Sequence, residues 1–267
     1  MSRSLTKVYF IMPLMIINHH MNKAIRISVV AGILLFTSCA NDIKNKKEGP
    51  VSNKPNVVLC GNVLTAEEQA KLTPDAVLKD LKEGNTHFVS NSLSPRNYPE
   101  QARKSHTGQF PEAVILSCMD SRVPVELVFN KSIGDVFVLR VAGNLVNDDM
   151  LGSMEYGCKV SGAKLILVLG HEHCGAIKSA INGVKMGHIT GMLKKIQAAI
   201  DKSSGFKGEK SSKNDQYMDL VCLNNILLTI NEIKTQSPIL KQMSDEGKIR
   251  IAGAIYHLET GTVEFLE

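Results

Sequence analysis

Tryptophan is absent from the 267 residues, and tyrosine and phenylalanine together make up only 5%. Stacking platforms for single-stranded nucleic acid are built from such rings beside basic side chains, and no stretch interleaves the two. Acid is missing locally: Arg3, Lys7, Lys23 and Arg26 lie in the first forty residues, where no aspartate or glutamate occurs. Setting those four charges aside leaves the formal net charge of +5 at about +1 for the rest of the chain. That is too little for an electrostatic nucleic-acid footprint. The apolar run Ile27 to Phe36 is too short to span a bilayer comfortably, though a plain anchor helix stays an alternative to an export signal there. The six cysteines follow no disulfide-framework spacing. The length suits one large or two small domains.

What is present begins with a leader. Lys23 and Arg26 precede the apolar run, and Thr37-Ser38-Cys39 follow it, then polar Ala40-Asn41-Asp42. This order of basic, apolar and small residues resembles a bacterial lipoprotein signal. The resemblance implies a lipid on Cys39 as the mature N-terminus, a membrane as partner and a place in the bacterial cell envelope. Val8 to Ile17 is a second apolar patch that such a signal does not need, so Met21 offers an alternative start. The division expected is a signal over 1–38, a flexible tether over 39–62 and one domain over 63–267.

Within that domain, Thr73-Pro74-Asp75 opens a helix with a cap and a first-turn proline, and Pro99 to Thr107 reads as a second, polar one. From Ala113 strand and helix alternate, the signature of a parallel sheet. The strands expected are 113–116, 135–141, 165–169 and 248–257, with a last one over 262–266. The helices expected are 124–129, 148–160, 175–181, 217–236 and 238–246. Gly183 to Asp215 reads as a polar excursion carrying a weak helix over 192–200. The fold class is α/β, a central mostly parallel four-stranded sheet plus an edge strand, flanked by helices.

Two strands end in reactive side chains. Ala113-Val-Ile-Leu116 runs into Cys118, Asp120 and Arg122, and Leu165-Ile-Leu-Val-Leu169 runs into Gly170-His171-Glu-His173-Cys174-Gly175. Ligands in open α/β sheets sit past the carboxyl ends of strands. Two such strands side by side bring Cys118, His171 and Cys174 together as a Cys2His set, a ligand set for catalytic zinc with one position open. A Cys118–Cys174 disulfide is the competing reading, and it leaves Asp120, Arg122 and His171 unexplained. His173, between the ligands, leaves a His-x-His ligation open on the residues alone.

These residues resemble the β-class carbonic anhydrases. The likeness rests on Cys118-x-Asp120-x-Arg122-Val-Pro and His171-x-x-Cys174-Gly175. It extends to Gly108-Gln-Phe-Pro111, Arg140 to Asn144, Gly152-Ser-Met-Glu-Tyr156 and Ala252 to Gly261. The resemblance implies one zinc per chain and an activated water that adds to carbon dioxide to give bicarbonate. It makes Asp120 and Arg122 the catalytic pair that orients the nucleophile, with Asp120 also able to close the fourth metal position. It implies a non-ligand at His173. Gln109 corresponds to a substrate-binding glutamine, and Phe137 and Tyr156 to the apolar carbon dioxide pocket. Ala142 departs from a bulkier valine there, and Ile115 stands in place of the tryptophan of the allosteric branch. A homodimer or higher assembly is implied, with the N-terminal helices and the 136–141 strand as interface candidates. Two other functions stay open on the residues alone: carbon disulfide or carbonyl sulfide hydrolysis on the same scaffold, and a non-catalytic zinc-binding envelope lipoprotein.

Overall fold

The computed structural model describes residues 59–266; the leader, Cys39 and most of the expected tether lie outside the described residues. The chain runs through α1 (Ala66–Lys71), α2 (Pro74–Val89), α3 (Tyr98–Ser105), β1 (Ala113–Ser117), α4 (Val125–Val128), β2 (Val136–Arg140) and α5 (Asp148–Glu155). A π-helical turn (Tyr156–Val160) leads to β3 (Leu165–His171), α6 (Gly175–Ile181), α7 (Gly187–Lys194) and α8 (Gln197–Lys202). The long α9 (Asp215–Gln236), α10 (Pro238–Asp245), β4 (Arg250–Tyr256) and β5 (Val263–Leu266) complete it. No helix among the described residues is long and apolar enough to cross a membrane.

The sheet order is β2-β1-β3-β4-β5, with four parallel strands and β5 antiparallel to β4. This is the architecture the alternation of strands and helices predicts. β1 and β3 are buried along their whole length, so they read as unbroken apolar runs. Period-two alternation divides their side chains between two cores. Val114, Leu116, Ile166 and Val168 face α5, α6 and α9, while Ile115, Leu165, Leu167 and Leu169 face α2 and α4. β2 is only half-buried and ends exposed at Arg140, which makes it an open edge.

Three local differences have physical causes. First, α1 was not expected; Thr65 and Glu68 cap each other at its start, and the Gln69 amide donates to the Pro111 and Ser161 carbonyls, 2.7 Å each. Second, the expected 148–160 helix changes to a π-helical turn at Tyr156. The wider turn brings Gly157 against β1, where a Cβ would come within 2.6 Å of Val114 Cγ2. Third, the polar excursion holds two helices rather than one. They bury Leu193, Ile196 and Ala199 in the core, an apolar row that the surrounding lysines and glycines conceal. At the other end of the described chain, Cys60 is already paired to the body through its amide to Pro95 O (2.8 Å) and its carbonyl from Asn97 N (2.9 Å).

α9 lies so close to the sheet that side chains are excluded beneath it. A Cβ on Gly170 would sit 2.6 Å from Ile226 Cδ1 and 2.9 Å from Cys222 Sγ, whereas one on Gly175 would meet nothing within 4 Å. Gly170→Ala is therefore expected to destabilise by about 1–3 kcal/mol, the cost of overpacking a filled core. Gly175→Ala should stay within about 0.5 kcal/mol of wild type. Thermal unfolding of the two variants checks this; an unchanged melting temperature for Gly170→Ala would show that α9 can retreat from β3.

Candidate metal centre

Register assembles the centre. β1 and β3 pair in parallel from Ala113↔Leu165 to Ser117↔Leu169, so Cys118 leaves β1 level with the last residues of β3. β3 continues to His171, two residues make a turn, and Cys174 caps α6. Cys118 Sγ, a His171 ring nitrogen and Cys174 Sγ all lie within 4.8 Å of one another, and all three residues are buried. The cysteines among the described residues are free thiols, so the disulfide alternative is not realised.

The protonation pattern suits a cation. His171 Nδ1 is 2.7 Å from the Glu172 carbonyl; a carbonyl only accepts, so Nδ1 carries the hydrogen and Nε2 keeps its lone pair. That Nε2 is buried with no hydrogen-bond partner. The Cys118 thiol is drawn down to about 4, chiefly by the hydrogen bond from Cys174, with help from the Gly143 amide (3.4 Å), against the opposing effect of burial. The Cys174 thiol is pushed up by that same shared hydrogen bond and by burial. Two thiols sharing one proton beside an orphaned imidazole nitrogen are a donor set for one zinc ion.

Asp120 stands beside the cluster, and both of its carboxylate oxygens are held by Arg122. Its Oδ1 accepts from the Arg122 amide (2.9 Å) and Nε (3.0 Å), and its Oδ2 from Nη2 (2.8 Å). This bidentate grip, more than anything else, holds the carboxyl down to about 2. Asp120 Oδ2 lies 3.9 Å from His171 Nε2. Arg122 also donates to the His173 carbonyl (3.3 Å), tying the two ligand loops together. His173 itself is exposed, adopts a left-handed φ of 48° and faces Asp215 at 3.6 Å, outside the cluster.

The expected substrate residues do not join this group within the chain. Phe137 and Tyr156 line one cleft of about 560 Å³, and Gln109 and Tyr156 line another of about 460 Å³. Neither cleft is lined by Cys118, His171 or Cys174. Tyr156 is 56% exposed, so it is not the core aromatic that helical spacing alone would allow.

The supporting roles of Arg140 and of three residues on α9 were not apparent in the sequence. Arg140 donates to the Cys118 carbonyl (3.0 Å) and the Asp120 carbonyl (2.5 Å), fixing the first ligand loop. On α9, Cys222 Sγ approaches the His171 carbonyl (3.6 Å), Asn225 Nδ2 donates to Gly143 O (2.9 Å) and Thr229 Oγ1 to Asn144 O (3.5 Å). The available signal was polar residues recurring every three or four positions along an otherwise apolar helix.

A family model described as "Carbonic anhydrase" matches residues 113–263. A carbonic anhydrase of Mycolicibacterium smegmatis is 34% identical over 195 residues, 72% of this chain and 92% of the relative. Carbonic anhydrase 2 of Mycobacterium tuberculosis is 32% identical over 191 residues, 70% of this chain and 90% of the relative. Among solved structures, a Coccomyxa β-carbonic anhydrase in complex with acetazolamide is 27% identical with a TM-score of 0.54, covering 72% of this chain and 82% of that one. A β-carbonic anhydrase of Sordaria macrospora, one of two described as tetrameric, shares the fold at 22% identity and a TM-score of 0.56, covering 63% and 86%.

Proposed function

This chain belongs to the carbonic anhydrase family, in its β class, and from that premise we propose that it interconverts carbon dioxide and bicarbonate at one zinc held by Cys118, His171 and Cys174. The observation that carries the reading is the buried Cys2His cluster with an Asp–Arg pair beside it and outside it. Zinc, when bound, supplies a Lewis acid that lowers the pKa of water from 15.7 to about 7. Cys118 and Cys174 provide two thiolates and His171 its Nε2, which leaves a fourth position for solvent. Asp120, gripped by Arg122, keeps a carboxylate oxygen next to that position. There it would accept a hydrogen bond from the oxygen that adds to carbon dioxide and so orient that oxygen toward the carbon. Storage of zinc would need neither Asp120 nor Arg122.

Gln109, Phe137 and Tyr156 enter this scheme through a second copy of the chain. β2 is an open, half-buried edge, and Tyr156 (56% exposed) and Val160 (68% exposed) stand on the turn that packs against it. A second copy seated there covers this apolar surface and lends its pocket residues to the neighbouring cluster. A relative's tetrameric state supports association of this kind. The leader supports a further step, a lipid on Cys39 that holds the enzyme at the bacterial cell envelope.

Stopped-flow carbon dioxide hydration by the full chain, with zinc quantified on the same sample, tests the activity. About one zinc per chain and a rate abolished by chelation are expected. Asp120→Asn should retain zinc and lose about 10–100-fold in kcat/KM, the range seen when a partner of a metal-site group is removed. Zinc bound with no hydration would sink the reading. Val160→Glu buries a charge in the proposed contact; it should yield a monomer by light scattering with depressed hydration, and an unchanged assembly would refute that face. Cys39→Ala should move the protein from the membrane to the soluble fraction, and continued membrane association would refute lipid anchoring there.

A further inference from the structure

We infer that Glu172 and His257 form a positioning clamp that sets the orientation of the metal ligand His171. The inference rests on the zinc reading above and concerns residues that the reading does not use. Glu172 follows the ligand and is fixed at four places. Its amide donates to the Tyr256 carbonyl (3.2 Å), and its own carbonyl accepts from His171 Nδ1 (2.7 Å). One carboxylate oxygen takes a hydrogen bond from His257 Nδ1 (2.6 Å) and the other from the Leu258 amide (2.9 Å).

A half-exposed glutamate in a turn would ordinarily extend into water. Here it folds back onto the end of β4 and leaves its peptide carbonyl little freedom. That carbonyl commits His171 to the Nδ1–H tautomer and aims Nε2 into the cluster. His257 is itself seated: its Nε2 lies 3.3 Å from Glu264 Oε2 on β5. The contacts Glu264–His257–Glu172–His171 thus carry the position of the antiparallel edge to the ligand. Glu172 and His257 touch neither substrate nor metal, so they act as positioning residues. Outer partners that orient a metal-bound histidine are worth about 10–100-fold in metal affinity, whereas a surface ion pair with no such task is worth little and leaves affinity alone.

The test is the zinc dissociation constant of the full chain, measured by competition with a chromophoric chelator, beside the melting temperature of the zinc-free protein. His257→Ala and Glu172→Ala are expected to weaken zinc by about 10–100-fold. His257→Asn, whose amide N–H replaces the Nδ1 donor, should stay within about threefold of wild type. If His257→Ala fails to fold, Glu172→Ala decides. Unchanged zinc affinity in the alanine variants with only a lower melting temperature overturns the clamp, and so does an equal loss in His257→Asn and His257→Ala. A wild-type affinity that His171→Ala leaves intact overturns the metal site itself, and the clamp with it.

Discussion

Parallel pairing of β1 with β3 in one register is the constraint on which the rest of the structure depends. Side chains alternate across a sheet, so a slip of one residue would send every apolar side chain of a strand to the wrong core. Both faces of these strands are buried under helices, which makes such a slip costly on either side. The pairing Ser117↔Leu169 therefore holds Cys118 against the end of β3 to within a residue. Hydrophobic burial on the order of 1.5–3 kcal/mol per large apolar side chain, repeated along Leu165 to Leu169, supplies the precision that two ligand loops from distant parts of the chain require.

Having been brought together, the two thiols would repel as thiolates, and burial alone would keep both protonated. The loops resolve this by distributing donors: the Gly143 amide and Cys174 stabilise charge on Cys118, while Arg122 and Arg140 place positive charge just outside. The contrast with the other buried cysteines is informative. Cys158 and Cys222 have little or nothing to offset burial, which pushes both thiols up to about 12. At Cys118 the donors around the thiol outweigh burial, which they do not at Cys158 or Cys222.

The strands and the three cluster residues were legible in the sequence because both depend on local pattern. Apolar runs of four residues (Ala113 to Leu116) and five (Leu165 to Leu169) define β1 and β3, and the ligands sit within a few positions of their ends. Boundaries of α2, α6 and α9 were legible for the same reason, through Thr73 and Pro74 at one start and glycine or polar residues at the others. The π-helical turn was not, since it answers to the proximity of Val114, more than forty positions earlier. Nor was the burial of Leu193 and Ile196, whose surroundings are lysine-rich and whose partner surface is made by other helices. Gln109, Phe137 and Tyr156 were assigned to substrate by resemblance alone, and their separation from the cluster within one chain is a property of the folded surface.

α9 explains how two independently formed loops keep a fixed separation. Residues 222, 225 and 229 are three and four positions apart, so they lie along one face of a straight helix. That face reaches the His171 carbonyl with Cys222 and the carbonyls of Gly143 and Asn144 with Asn225 and Thr229. One rigid element thus touches both the loop that carries His171 and the loop whose amide holds Cys118. Gly170 and Gly253 let the helix approach the sheet closely enough to do so. A helix displaced by the bulk of a methyl group would loosen its hold on both loops at once, because the same body sets both contacts. The glycine just before the ligand histidine is therefore demanded by the depth at which α9 must lie, and through that depth by the spacing of the metal donors.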